Sequence, residues 1–181
     1  MARPDGELET YLTLALAEQH PALAAAHDEV YPERVPEQIP LSVTLLYPFA
    51  ARAEVQLYRE QLGSFFEAHP PFDLQLARLA QWAENGAVYA VPEPEQPLRD
   101  LMRALWRLYP QFPPYGEEGG DPPPHASLTY TGGDDRAATL ARVEERLEGL
   151  LPATFHIAEV ALMEETEPDR WSLRETFRLG A

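Results

Sequence analysis

Apolar residues along this chain switch repeatedly between two spacings, and the switches mark out its elements. Residues 8–17 (Leu-Glu-Thr-Tyr-Leu-Thr-Leu-Ala-Leu-Ala) are nearly continuously apolar and interrupted by Thr13, the pattern of a buried strand. An Ala-rich stretch, 21–30, begins at Pro21 and predicts a short helix, because proline suits the first helical turn. A second strand is predicted over about 39–47, rich in β-branched and apolar residues. Ala53 to Ala68 has helical periodicity, with Val55, Leu62, Phe65 and Phe66 toward one side. A hairpin follows, its arms Phe72–Trp82 and Ala87–Val91. Its turn is Glu84-Asn85-Gly86, since Asn-Gly favours the positive φ such turns need.

The second half repeats the order. A helix is expected over 97–109, a strand over 124–131, and a charged amphipathic helix over 134–150 beginning near Asp134. Strands at about 153–164 and 170–179 close the chain, joined across Glu167-Pro168-Asp169. Strands that alternate with helices and then pair in hairpins predict an α+β fold with two mostly antiparallel sheets. The long irregular piece is 110–124, with six prolines and three glycines. A loop of that length in a compact domain is often functional, for example a lid, and equally often a surface excursion.

The repetition reaches individual residues. Pro40-Leu41-Ser42-Val43-Thr44-Leu45-Leu46-Tyr47 is matched by Pro123-Pro124-His125-Ala126-Ser127-Leu128-Thr129-Tyr130 at one offset, 125 − 42 = 83. Phe72-Asp73-Leu74 maps at the same offset onto Phe155-His156-Ile157. A register that survives a helix-length gap is the mark of an internal duplication. The reading is one domain, 1–181, built of two packed halves at about 8–92 and 97–180, a length that suits a single core.

Composition narrows the function. Hydrophobic residues are 45% of the chain, no apolar stretch approaches the roughly 18 residues of a membrane helix, and cysteine is absent. Disulfides, a thiol nucleophile and Cys-ligated zinc are thereby excluded. The acidic start, Met1-Ala2-Arg3-Pro4-Asp5-Gly6-Glu7, is unlike a basic signal-peptide start, and a cytoplasmic location with no membrane partner is expected. The net charge of −16 sets 30 acidic side chains against 14 basic ones, all arginine. An extended nucleic-acid surface needs clustered cations and is not expected, whereas a compact phosphate pocket with a local arginine is compatible.

Alternation on a strand puts Ser42 and Thr44 on one face, with Val43 and Leu45 on the other. His125 and Ser127 alternate in the same way with Ala126 and Leu128. If the halves pack about a pseudo-two-fold axis, these four polar residues meet in one cleft. Two imidazoles facing across a phosphate form an acid–base pair, and hydroxyls two residues on hold the phosphate oxygens. One copy here carries serine instead.

These paired motifs, the phrase Ile39-Pro40 to Pro48-Phe49, and the ending Trp171-Ser172-Leu173 with Phe177-Arg178-Leu179-Gly180 resemble the 2H phosphoesterase superfamily, in its bacterial 2′-5′ RNA ligase-like branch. The resemblance covers nearly the whole chain. It implies a bilobal fold with a central cleft and helices outside. It also implies hydrolysis of 2′,3′-cyclic phosphates to 2′-phosphates, or the related 2′-5′ ligation, without metal or other cofactor. The implied partner is a nucleotide 2′,3′-cyclic phosphate or an RNA terminus. His125 would be the acid–base residue and Thr44 and Ser127 the phosphate-binding hydroxyls. Ser42, a third phosphate-binding candidate, stands where the other histidine belongs, and Thr129-Tyr130 stands where relatives often have a basic residue; Tyr130 is a further cleft candidate. Losing one acid–base group costs about 10²–10⁴ in rate.

His156, opposite the apolar Phe155 and Ile157, is the candidate for a substitute histidine, while His20, His27 and His69 read as surface residues. Arg99, Arg103 and Arg107 form one helical stripe, either at the rim of the cleft or on a solvated face paired with acids. Glu117, Glu118 and Asp121, if close to His125, would raise its pKa and repel phosphate. Trp82, Trp106 and Trp171 read as core or hairpin packing, with stacking on a nucleobase as the other use. Two further readings differ in class from the enzyme: a non-catalytic nucleotide or phosphate binder on the same fold, and a protein-interaction scaffold.

Overall fold

The computed structural model of the chain describes residues 7–180; the reading of the first six residues lies outside them. The strands are β1 (Thr10–Ala15), β2 (Ser42–Leu46), β3 (Phe72–Gln81), β4 (Val88–Glu93), β5 (Ala126–Ser127), β6 (Ala153–Ile157), β7 (Glu159–Glu167) and β8 (Arg170–Arg178). The helices are α1 (Pro21–Val30), α2 (Arg34–Glu37), α3 (Arg59–Glu67), α4 (Glu95–Leu108) and α5 (Arg136–Arg146). Two four-stranded sheets result, in the orders β2-β1-β7-β8 and β5-β4-β3-β6, and their neighbouring strands run antiparallel.

Each sheet takes two strands from each half of the sequence, so the halves interleave rather than forming one sheet apiece. The stretch expected as one strand, 153–164, breaks at Ala158: β6 belongs to one sheet and β7 to the other. The apolar pattern is continuous across the break because both pieces are buried on the core side, so periodicity alone cannot reveal the change of sheet. The helix expected over 53–68 begins as a 3-10 turn, Val55–Tyr58, before α3, and the strand expected over 124–131 keeps only two residues of ladder.

One contiguous core joins the sheets. β1 contributes Leu12 and Leu14, β2 Val43 and Leu45, β3 Leu74 and Leu76, and β7 Val160 and Leu162. α4 closes it with a stripe of Leu98, Leu101, Met102 and Leu105, each side chain worth roughly 1.5–3 kcal/mol when fully buried. β1 is buried along most of its length because it lies between β2 and β7; its Thr13 hydroxyl donates to the Val43 carbonyl at 2.9 Å, so the polar group is satisfied. The alternation read from Ser42 to Leu45 holds: Val43 and Leu45 are buried in the core and Ser42 and Thr44 face away from it.

The repeat offset has a geometric counterpart. In the β3–β6 ladder Asp73 lies opposite His156, flanked by Phe72 opposite Ile157 and Leu74 opposite Phe155. Asp73 and His156 are 83 residues apart, so equivalent positions of the two copies pair with each other. That is what a local two-fold between the repeats requires.

Candidate functional site

β2 and β5 are the edge strands of their sheets and face each other across a cleft of about 400 Å³. Ser42, Thr44, His125, Ser127 and Tyr130 line it together. His156 does not. It sits on β6, at the far edge of its sheet from β5, where its Nδ1 lies 2.7 Å from Asp73. The polar side of β6 is solvent, not cleft, because the cleft lies beyond β5 at the other end of that sheet.

Motif two is held by its neighbour rather than by its own short ladder. Ser127 and Ala126 pair with Tyr89 and Ala90 of β4. Beyond them the Leu128 N–H donates to the Val88 carbonyl at 2.8 Å, and the Val88 N–H donates to the Thr129 hydroxyl at 2.9 Å. Thr129 is therefore committed to structure, and Tyr130, 67% exposed, stands at the mouth of the cleft. The following loop fits tightly over the β3–β4 turn: a Cβ on Gly132 would lie 2.6 Å from the Gly86 carbonyl oxygen, so only glycine permits the approach. On the other wall, the Trp106 indole N–H of α4 donates to the Leu45 carbonyl at 2.8 Å and anchors β2.

The His125 ring has a defined tautomer. Its Nδ1 is 2.8 Å from the Pro123 carbonyl, which can only accept, so Nδ1 carries the proton and the Nε2 lone pair faces the cleft. Trp82 meets the ring edge-on at 5.1 Å, with Tyr89 stacked against Trp82. Burial among these rings lowers the His125 pKa below its usual value, opposed by the Pro123 carbonyl, so the imidazole is neutral at physiological pH. The acids that would raise it if close stay away: Asp121 is paired with Arg99 and Arg103, and neither Glu117 nor Glu118 lines the cleft. Arg99 and Arg103 of the stripe are thus ion-paired, Arg99 also reaching Glu95, and the stripe is not the rim of the cleft.

Several cleft residues escaped the sequence reading. His27 is buried at 3% exposure and lines the cleft, contrary to its expected surface position. The signal was available: Leu23, His27 and Val30 share one face of α1. Its Nδ1 lies 3.1 Å from Asp28, the Ser127 carbonyl is close to the ring, and burial lowers its pKa against both. Segment 31–37, unassigned from sequence, brings Tyr31, Arg34 and Glu37 into the same wall. Arg34 is the one arginine among the described lining residues. Glu37 at 2.9 Å and the Tyr31 ring at 5.1 Å hold its guanidinium in place. Tyr115, from the long 110–124 loop, closes the cleft over His125. Trp171 and Tyr11 pack edge-to-face at 4.8 Å and form the floor.

The fold is shared with solved structures of low sequence identity. Escherichia coli LigT in complex with NADP+ superposes with a TM-score of 0.63 at 15% identity, covering 97% of this chain and 99% of that one. TT0787 of Thermus thermophilus gives 0.58 at 18% identity, over 94% of this chain and 97% of that one. Kluyveromyces marxianus Usb1 gives 0.51 at 15% identity, over 97% and 100%. No curated protein matches the sequence. The family model of the 2′-5′ RNA ligase superfamily matches residues 14–169, and the chain belongs to that family.

Proposed function

We propose that the chain binds a nucleotide 2′,3′-cyclic phosphate or an RNA terminus in this cleft and hydrolyses the cyclic ester with His125 as general base. The observation that carries the reading is the unprotonated, cleft-facing Nε2 of a neutral His125 beside the Thr44, Ser127 and Ser42 hydroxyls, in a cleft whose arginine is Arg34. The hydroxyls would bind the non-bridging oxygens and Arg34 would balance their charge. Arg34 takes up the part of the basic residue missing after motif two, from a different element. E. coli LigT has been solved with 3′-AMP, with ATP and with phosphate, ligands of the same chemical class.

Ser42 limits the rate. Its hydroxyl does not titrate near neutrality, and loss of one acid–base group costs about 10²–10⁴. That same residue favours a second reading, a nucleotide or phosphate binder that has given up turnover. Hydrolysis of 2′,3′-cyclic nucleotides by the native chain, Ser42→His and His125→Ala separates the two. Native turnover abolished by His125→Ala supports the enzyme. Phosphate binding without turnover, with activity appearing only in Ser42→His, establishes the binder.

A further inference from the structure

Hydrolysis of a cyclic phosphate moves two protons, and His125 accounts for one. The other must reach the departing sugar oxygen, and Ser42 has no acidic group to give. We propose that Tyr115 supplies it, its phenol being the second acid–base group of the cleft, opposite His125. This inference rests on the hydrolysis reading above.

Three observations carry it. The Tyr115 hydroxyl lies 3.4 Å from His125 Nε2, and because Nδ1 already holds the ring's proton, the phenol is the donor in that contact. The Thr44 side chain of motif one lies beside the same hydroxyl, so the phenol stands between the two motifs, where a phosphate bound by both would sit. The backbone is built to hold it there: Tyr115 has φ +54°, and its N–H donates to the Tyr47 carbonyl at 2.5 Å. A left-handed tyrosine is an uncommon conformation that the surroundings must enforce. The residue is 42% exposed overall, with its ring stacked at 28° to the His125 ring. A phosphate bound between the two groups would replace this 3.4 Å contact with one hydrogen bond to each of them.

The step balances. A water oxygen bonds to phosphorus while its proton passes to His125 Nε2. The bond from phosphorus to the 3′ oxygen breaks, and its electron pair takes the Tyr115 proton, leaving a 2′-phosphate and a 3′-hydroxyl. Imidazolium at 125 and phenolate at 115 then face each other, and one proton transfer between them restores the starting state. Burial pushes the Tyr115 pKa up to about 12, opposed by Thr44 and Arg34, so the phenol is protonated at neutral pH, and the guanidinium favours the transient phenolate.

The test compares Tyr115→Phe with the native chain on two substrates, a 2′,3′-cyclic nucleotide and a p-nitrophenyl phosphodiester whose leaving group departs without a proton. Tyr115→Phe is expected to lose about 10²-fold on the cyclic nucleotide and to keep its rate on the p-nitrophenyl ester, while His125→Ala loses both. The ester rate also reports that the variant is folded. Equal losses on both substrates, or no loss on either, would overturn the assignment to Tyr115 alone. A native chain that binds 3′-AMP yet hydrolyses neither substrate overturns the hydrolysis reading, and this inference with it.

Discussion

The two motif strands match in sequence at one offset and are supported in different ways. β2 is a regular five-residue strand, paired along its length with β1 and pinned by Trp106; it presents two hydroxyls. β5 has two residues of ladder, enters through Pro122-Pro123-Pro124 and depends on side-chain bonds beyond its end; it presents the imidazole. The irregular entry has a chemical use. The Pro123 carbonyl accepts from His125 Nδ1 and so fixes the tautomer, and the same loop delivers Tyr115. The regular strand offers no such partners. A histidine added there would need its tautomer fixed by something else, which is a physical reason to expect the proposed chemistry on motif two.

The largest expected effect is therefore on motif two. His125→Ala should lower turnover of a cyclic nucleotide by about 10²–10⁴, read by product release under saturating substrate, while 3′-AMP binding changes little. A comparable loss from Ser42→Ala would show that the motifs are equal partners and break the comparison. Next comes Arg34→Gln, expected to weaken phosphate binding about 10–100-fold by calorimetry. A hydrogen bond to a charged group contributes roughly 1.5–3 kcal/mol, and the Glu37 carboxylate left behind repels the ligand.

Ser42→His should raise turnover about tenfold, because an imidazolium is a stronger acid than the phenol it would relieve. The pH profile sharpens this. Burial depresses the His125 pKa below the 6.5 of a free imidazole, so the base stays neutral through that value and the native rate falls only at lower pH. The sign for stability agrees. Below 6.5 the unfolded chain takes up protons that buried His125 and His27 resist, so their contribution is full above that pH and declines as pH falls through the depressed values. Among the described residues the charged side chains facing this cleft, besides the histidines, are Arg34, Glu37 and Asp169, and Tyr115 remains protonated throughout. Native turnover is thus expected to rise to a plateau, and Ser42→His to add a descending limb near neutrality.

Much of this arrangement was legible in the sequence because it obeys a short period. Ser42, Thr44, His125 and Ser127 follow strand alternation, and the 83-residue offset pairs them. What was not legible comes from irregular backbone. Segment 31–37 has no period to betray that Arg34 reaches the cleft, and Tyr115 depends on a left-handed turn that no spacing encodes. His27 was missed for another reason: a histidine among alanines looks solvated, although its spacing from Leu23 and Val30 places it inward. His156 erred in the opposite direction. Its polar face was read as cleft, and only the strand order shows that solvent lies there.

The smallest expected effect concerns that residue. His156 and Asp73 stand at matching positions of the 83-residue offset, as Ser42 and His125 do, and each pair has one histidine. Yet one pair lines the cleft and the other is 65% and 70% exposed. An exposed ion pair contributes about 0–1 kcal/mol and is screened by salt. Asp73→Asn is accordingly expected to shift stability by less than about 1 kcal/mol in urea denaturation and to leave cyclic-nucleotide turnover unchanged. If it lowered turnover severalfold without destabilising the fold, the two-fold at β3–β6 would be coupled to the cleft, and the division into a working pair and a structural pair would fail. With turnover unchanged, matching positions of the repeat have unrelated surroundings, decided by whether their strands border the cleft, as β2 and β5 do, or lie at the other side of the sheet, as β3 and β6 do.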